Sequence, residues 1–150
     1  MVRERFYMAQ SESVSARPDI DIDADIDHLL RTYPPLTNDR HRVEFALRDG
    51  MVTVSGYVKS LATQNYVINE VSRIHGVRGL ETTSFYNDDA IRRDVGRAIA
   101  PGIVARVEYG AVILGGNLPE GANVASMVRK IALVPGVHRV ITGFTNHPAN

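Results

Sequence analysis

Carboxylates, histidines and arginines are the residues in this chain that could bind ions or move protons, and their spacing decides which chemistry is open. Five aspartates alternate from Asp19 through Asp21, Asp23 and Asp25 to Asp27. Carboxylates are hard oxygen ligands suited to divalent cations. Alternating positions, however, do not converge as a calcium loop does, and acidic groups before and within a first helical turn favour the helix dipole. The run reads as a helix start. The five histidines, His28, His41, His75, His138 and His147, are scattered without metal-ligand spacing. No nucleophile motif stands with a base placed by local geometry. Cysteine is absent, which removes disulfides, thiolate metal sites, cysteine nucleophiles and a lipoprotein anchor. The expectation is a protein that is not an enzyme, with no catalytic residue, metal or cofactor.

Binding chemistry has more to work with. Arg92, Arg93 and Arg97 share a helical segment whose opposite side carries Ile91, Val95 and Ile99. A basic amphipathic helix can lie against anionic headgroups, so these three arginines are the candidate lipid-binding residues. The bland alternative is a solvated face partly neutralised by Asp94. Gly76-Val77-Arg78-Gly79 has the spacing of the GxxG nucleic-acid clamp, but it lies between a helix and a strand. Its counterpart Gly136-Val137-His138-Arg139 lacks the second glycine, and the motif reads as a helix cap. Seventeen basic and seventeen acidic residues cancel, which argues against a protein built to neutralise phosphates, and no nucleic-acid partner is expected. The charges are unevenly spread: residues 1–89 hold 10 Lys+Arg and 14 Asp+Glu, residues 90–150 hold 7 and 3.

The elements that position these residues repeat. Gly50 to Val58 aligns with Gly110 to Leu118 at an offset of 60, and Ile74-His75-Gly76-Val77 meets Val134-Pro135-Gly136-Val137 at the same offset. Val43, Phe45 and Leu47 alternate with polar residues up to Asp49-Gly50, a two-residue turn, and Val52, Val54 and Val58 continue the alternation. This predicts a hairpin with Leu47 opposite Val52, Phe45 opposite Val54 and Val43 opposite Gly56. In the second copy Val107 faces Val112, Ala105 faces Leu114 and Ile103 faces Gly116, around Tyr109-Gly110. Gly56 and Gly116 recur inside the second strand, which points to a bulge or to close approach of a helix.

Helical periodicity flanks each hairpin. Ile22, Ile26, Leu29 and Leu30 precede the first, and Ile91, Val95, Ala98 and Ile99 the second. Matching Ile26 and Leu30 to Ile91 and Val95 gives an offset of 65, hence a five-residue insertion in the first copy near Tyr33-Pro34-Pro35-Leu36. Val67, Ile68, Val71 and Ile74, then Val124, Met127, Val128, Ile131 and Val134, form second helices that end at Gly76 and Gly136. Short strands follow. The predicted fold is α/β (α+β): two tandem α-β-β-α-β repeats, each a three-stranded sheet covered on one face by two helices. The expected division is a flexible arm over 1–19, a first domain over 20–86, a second over 87–146 and a tail over 147–150. Gly50, Gly56, Gly76, Gly110, Gly116 and Gly136 are the structural glycines.

This order, with Asp49-Gly50-Met51-Val52-Thr53-Val54-Ser55-Gly56-Tyr57-Val58 and the later Gly76-Val77 and Gly136-Val137, resembles the tandem BON-domain proteins of bacterial osmotic-stress response and envelope maintenance. The resemblance covers about 125 residues and rests on structural positions, which speak for fold more than for activity. It implies a binding function: family members are associated with phospholipid and envelope integrity, and one small cytoplasmic relative with potassium. In envelope members lipid contact is attributed to the second domain, which adds weight to Arg92, Arg93 and Arg97. The opening MVRERFYMAQSESVSARPD has no apolar run of signal-peptide length. The expected location is therefore the cytoplasm, at the membrane periphery if anionic phospholipid is bound.

The register also places residues on the other face of each sheet: Ala46, Met51, Thr53 and Tyr57 in the first copy, Val104, Ala111 and Ile113 in the second. Met51, Tyr57, Val104 and Ile113 are the candidate interface residues, to be covered by the other copy or by a partner chain. The sequence thus supports a binding and assembly module that self-associates or docks onto a larger complex, with a peripheral phospholipid-binding protein as the alternative.

Overall fold

The computed structural model describes residues 16–146, so most of the expected arm and the whole of the tail over 147–150 lie outside the described residues. Helix α1 (Asp19–Thr32) opens the first unit. A short helix α2 (Leu36–Asp39) and a 3-10 turn (Arg40–Arg42) lead into strands β1 (Val43–Arg48) and β2 (Met51–Val58). Helix α3 (Leu61–Arg73) and strand β3 (Gly79–Asn87) complete it. The second unit repeats the order with α4 (Asp88–Gly96), β4 (Ile103–Glu108), β5 (Ala111–Gly116), α5 (Val124–Ala132) and β6 (Arg139–Thr142). Each sheet has its second strand in the middle, antiparallel to the first and parallel to the third. The two α-β-β-α-β repeats stand as the alternation and turns indicate.

Both hairpins adopt the expected register: Phe45 pairs with Val54 and Leu47 with Val52, while Ala105 pairs with Leu114 and Val107 with Val112. The turn pairs Asp49-Gly50 and Tyr109-Gly110 all have positive φ, as a two-residue hairpin turn twisted to match its strands requires. Gly56 and Gly116 also have positive φ. A Cβ on Gly56 would lie 2.0 Å from the Arg42 carbonyl oxygen, and one on Gly116 2.3 Å from that of Gly102. Of the two reasons open for this repeated glycine, close approach holds, but what approaches is the chain entering the neighbouring strand and not a helix.

Each unit has its own core. Ile22, Ile26, Val52, Val54, Val67 and Val71 are buried in the first, and Ile91, Val95, Val112, Leu114 and Ile131 in the second. Three expectations need correction. Helices α3 and α5 stop at Arg73 and Ala132, and Gly76 and Gly136 take their positive φ in the turn that follows, three residues or more beyond the helix. The equivalence of the first helices is not Ile26 and Leu30 with Ile91 and Val95: buried Ile22 and Ile26 take those places. The offset there is 69, and the insertion in the first copy is nine residues long. It is an ordered segment. Tyr33 stacks on Tyr66 of α3 with ring centroids 3.6 Å apart, and Leu36 is fully buried in the first core.

Candidate functional site

The two units meet without a connecting loop. Strand β3 ends at Asn87 and α4 begins at Asp88. Asn87 Oδ1 accepts from Ala90 N at 2.8 Å, capping α4, while its Nδ2 donates to Gln64 Oε1 at 2.7 Å. Gln64 Nε2 in turn donates to the Phe85 carbonyl at 2.8 Å. A cap satisfies helix N–H groups that otherwise have no partner. Here the same side chain ties α4 of the second unit to α3 of the first.

The residue after that cap holds the hairpin turn. The Asp88 carboxylate accepts from Tyr109 N at 2.8 Å and Gly110 N at 3.1 Å. In the first unit Asp19 does the same, accepting from Asp49 N and Gly50 N, both at 2.9 Å. This shared bond fixes the 69-residue offset, and it gives one member of the acidic run a role at a turn, not at an ion. Asp88 is 1% exposed. Burial raises its pKa above the usual carboxylate value, against the lowering effect of the two backbone donors and of Arg92.

The seam between the units is built from two tyrosines crossing in opposite directions. Tyr109 leaves the second unit's turn and donates its hydroxyl to Asp39 Oδ1 at 2.7 Å. Asp39 is 2% exposed and accepts through Oδ2 from Lys59 N at 3.1 Å. The Tyr109 ring lies under the Arg42 guanidinium at 4.8 Å and the Lys59 ammonium at 5.5 Å, within the range of cation–π attraction. Burial and the Asp39 carboxylate push the Tyr109 phenol up to about 12. In the other direction Tyr57, on the outer face of the first sheet, donates to the Gly136 carbonyl at 2.7 Å. It packs beside Tyr86 and meets the His138 ring edge-on, both with centroids 5.6 Å away. Leu61 N donates to Asp89 Oδ2 at 3.1 Å and closes the seam.

Of the four candidate interface residues, the structure commits Tyr57 to this seam, so it belongs to a contact within the chain. Met51 and Val104 are exposed, 49% and 66% respectively, and Ile113 is half-buried. Ile113 lies between exposed Arg106 of β4 and Ile141 of β6, with Val104 on the diagonal, so the second sheet's outer face carries a small aliphatic patch bordered by a cation. The candidate lipid residues Arg92, Arg93 and Arg97 sit together at α4, but each faces a carboxylate of the same segment. Arg92 meets Asp89 at 3.1 Å, and Arg93 and Arg97 meet Asp94 at 3.3 and 3.7 Å.

Sequence reasoning missed Asp39, Tyr86, Asp88 and Tyr109. The available signal was Tyr109 itself, a bulky residue at a positive-φ turn position where the first copy has Asp49, which tolerates that conformation better.

Among the described residues no group of three His, Cys, Asp or Glu side chains is placed to hold a metal ion, and no helix is long and apolar enough to cross a membrane. The fold and its built contacts define a class: tandem α-β-β-α-β units whose polar and aromatic side chains join one unit to the next. Neither a protein-family model nor a curated protein matches the sequence. Among solved structures the chain is similar to the C-terminal domain of CdsD, the structural protein of the type III secretion system of Chlamydia trachomatis. The TM-score is 0.65 at 13% identity, over 83% of this chain and 65% of that one, so the chain spans just under two thirds of that structure. At this identity the likeness concerns the fold. A second CdsD structure from the same system gives a TM-score of 0.33 at 10% identity, covering 86% of this chain and all of that one.

Proposed function

We propose that this chain is a non-catalytic assembly module that self-associates or docks onto a larger protein complex. The observation that carries the reading is the seam, where the outer face of one unit's sheet is pressed against the turn end of the next by Tyr57, Tyr109 and Asp39. Among the described residues the second sheet's outer face leaves Val104 and Ile141 exposed beside Ile113. Contiguous exposed apolar surface rimmed by polar residues is where interaction sites are sought. The fold shared with a structural component of a secretion system supports the same reading. Sedimentation of the native chain over a wide concentration range, beside Val104→Glu, tests self-association. Mass that grows with concentration in the native chain and not in the variant supports it, and identical monomers leave only docking onto another component.

Phospholipid binding through Arg92, Arg93 and Arg97 is the weaker reading. Asp89 and Asp94 oppose these guanidinium groups along one helix, which lowers the positive field an anionic surface would meet.

A further inference from the structure

The turn ends of the two units share their backbone contacts and differ, among the described residues, in the side chain laid over the turn glycine. Asp19 and Asp88 hold the turns, and Arg78 N and His138 N donate to the Gly50 and Gly110 carbonyls at 2.8 and 3.1 Å. A Cβ on Gly76 would meet Arg17 and Ile22, and one on Gly136 would meet Tyr86 and Ile91, so Arg17 stands where Tyr86 does. In the second unit the first unit's Tyr57 then fills the remaining space. Its ring lies so close to Gly110 that a Cβ there would be 2.4 Å away, and its hydroxyl reaches the Gly136 carbonyl. In the first unit the stem of Arg78 lies over the buried Gly50, its Cγ 2.9 Å from where a Cβ would stand, and beside it opens a cleft of about 660 Å³ lined by Arg17, Asp19, Gly76 and Arg78 among others. No described hydrogen bond ends on the Gly76 carbonyl, and no described ion pair includes Arg78.

We propose that this cleft is a socket for a tyrosine side chain presented on the outer sheet face of a further α-β-β-α-β unit, extending the stacking seen within the chain. The inference rests on the assembly reading and names the partner's chemistry. Continuity with the seam supplies the argument: the same backbone carbonyl awaits a hydroxyl donor. Arg78, at the position equivalent to His138, swings off Gly50 to admit the ring and then offers a cation to its face. A second copy of this chain lacks the required phenol ring, because the position equivalent to Tyr57 in its second unit is Asn117.

Two measurements on the full chain test the socket. In the first, amide resonances of the native protein are followed while N-acetyl-tyrosine amide, then N-acetyl-phenylalanine amide, is added. Shifts should appear at Gly50, Gly76 and Arg78, larger with the tyrosine probe, and not at Gly110 or Gly136. In the second, Asn117→Tyr, an exposed substitution, supplies the missing donor on a unit of the right kind. Its head-to-tail association should be about tenfold tighter than that of the native chain, and Arg78→Glu in the same chain should reverse the gain. Equal shifts with both probes, shifts at neither, a folded Asn117→Tyr variant that sediments as the native protein does, or association that Arg78→Glu leaves unchanged would each overturn the proposal. If the native chain assembles while probe and variant ignore the cleft, the assembly reading stands and only the socket fails. If Asn117→Tyr does not fold, the probe titration decides.

Discussion

The Tyr109 hydroxyl donates to the buried carboxylate of Asp39 at 2.7 Å, joining the second unit's hairpin turn to a segment that only the first unit possesses. The nine-residue insertion is therefore the receiving half of a clasp. Removing the hydroxyl in Tyr109→Phe leaves a buried carboxylate oxygen short of a partner, a loss on the order of 2 kcal/mol. Chemical denaturation should show this loss, while Tyr33→Phe, whose ring stacks but makes no described hydrogen bond through its hydroxyl, should cost less.

The same phenol carries a pH signature. Its folded pKa is raised from 10.0 to about 12. The folded state therefore holds the proton more tightly than the unfolded state does. The stability this confers is fully present below pH 10 and is lost as pH rises toward about 12. An ultraviolet titration of the native chain should show late-ionising tyrosine, to which the half-buried Tyr57 also contributes, and Tyr109→Phe should diminish that component. A titration identical in both proteins would place the phenol outside the seam.

Asp88 and Asp19 make the same pair of bonds in different surroundings. Asp88→Ala strands two N–H groups where the residue is 1% exposed, whereas water can reach the half-buried Asp19 and serve the donors that Asp19→Ala frees. The first substitution should cost about 3 kcal/mol and the second about 1 kcal/mol. Equal midpoints in urea would show that the turn N–H groups of the second unit reach solvent.

Phe45 pairs with Val54 as the alternation indicates, but it is half-buried while Val54 is fully buried. Phe45→Ala should then cost about 2 kcal/mol, below the 3 to 5 typical of a fully enclosed phenylalanine. Ile22→Ala, at a fully buried site in the same core, should cost as much or more despite the smaller side chain. A reversed order would mean that α1 is not seated on the sheet.

The hairpins were legible because alternation has a period of two, so a slip by one residue would turn Val52 and Val54 to the wrong face. Helix equivalence was not. Ile22, Ile26 and Leu30 recur every four residues, so sliding the alignment by one turn, to pair Ile26 with Ile91, leaves the apolar pattern intact. Tertiary contacts select the right match: the bond from Asp19 to the Asp49-Gly50 turn and the packing of Ile22 against Gly76. The seam stayed hidden for a similar reason: Tyr109 and Asp39 lie 70 residues apart and share no periodic pattern. The cluster of Arg92, Arg93 and Arg97 was legible as a basic face, but their pairing with Asp89 and Asp94 depends on rotamers that spacing does not specify.

That pairing has a measurable consequence. A basic residue near an anionic bilayer contributes about 1 kcal/mol when its charge is free. With Asp89 and Asp94 on the same helix, the native chain should not co-sediment with anionic vesicles at physiological salt, and changing Arg92, Arg93 and Arg97 to glutamine should alter nothing. Native binding that the triple variant abolishes would restore the phospholipid reading.

The most direct test of the assembly account is photocrosslinking from the open sheet face in the intact chain, expressed in its own cells. A benzoylphenylalanine at exposed Val104 is compared with one at exposed Lys130 on α5. The account predicts one discrete adduct from position 104, whether with a second copy or with another protein, and none from position 130. No adduct from position 104, or the same diffuse set from both positions, would contradict it.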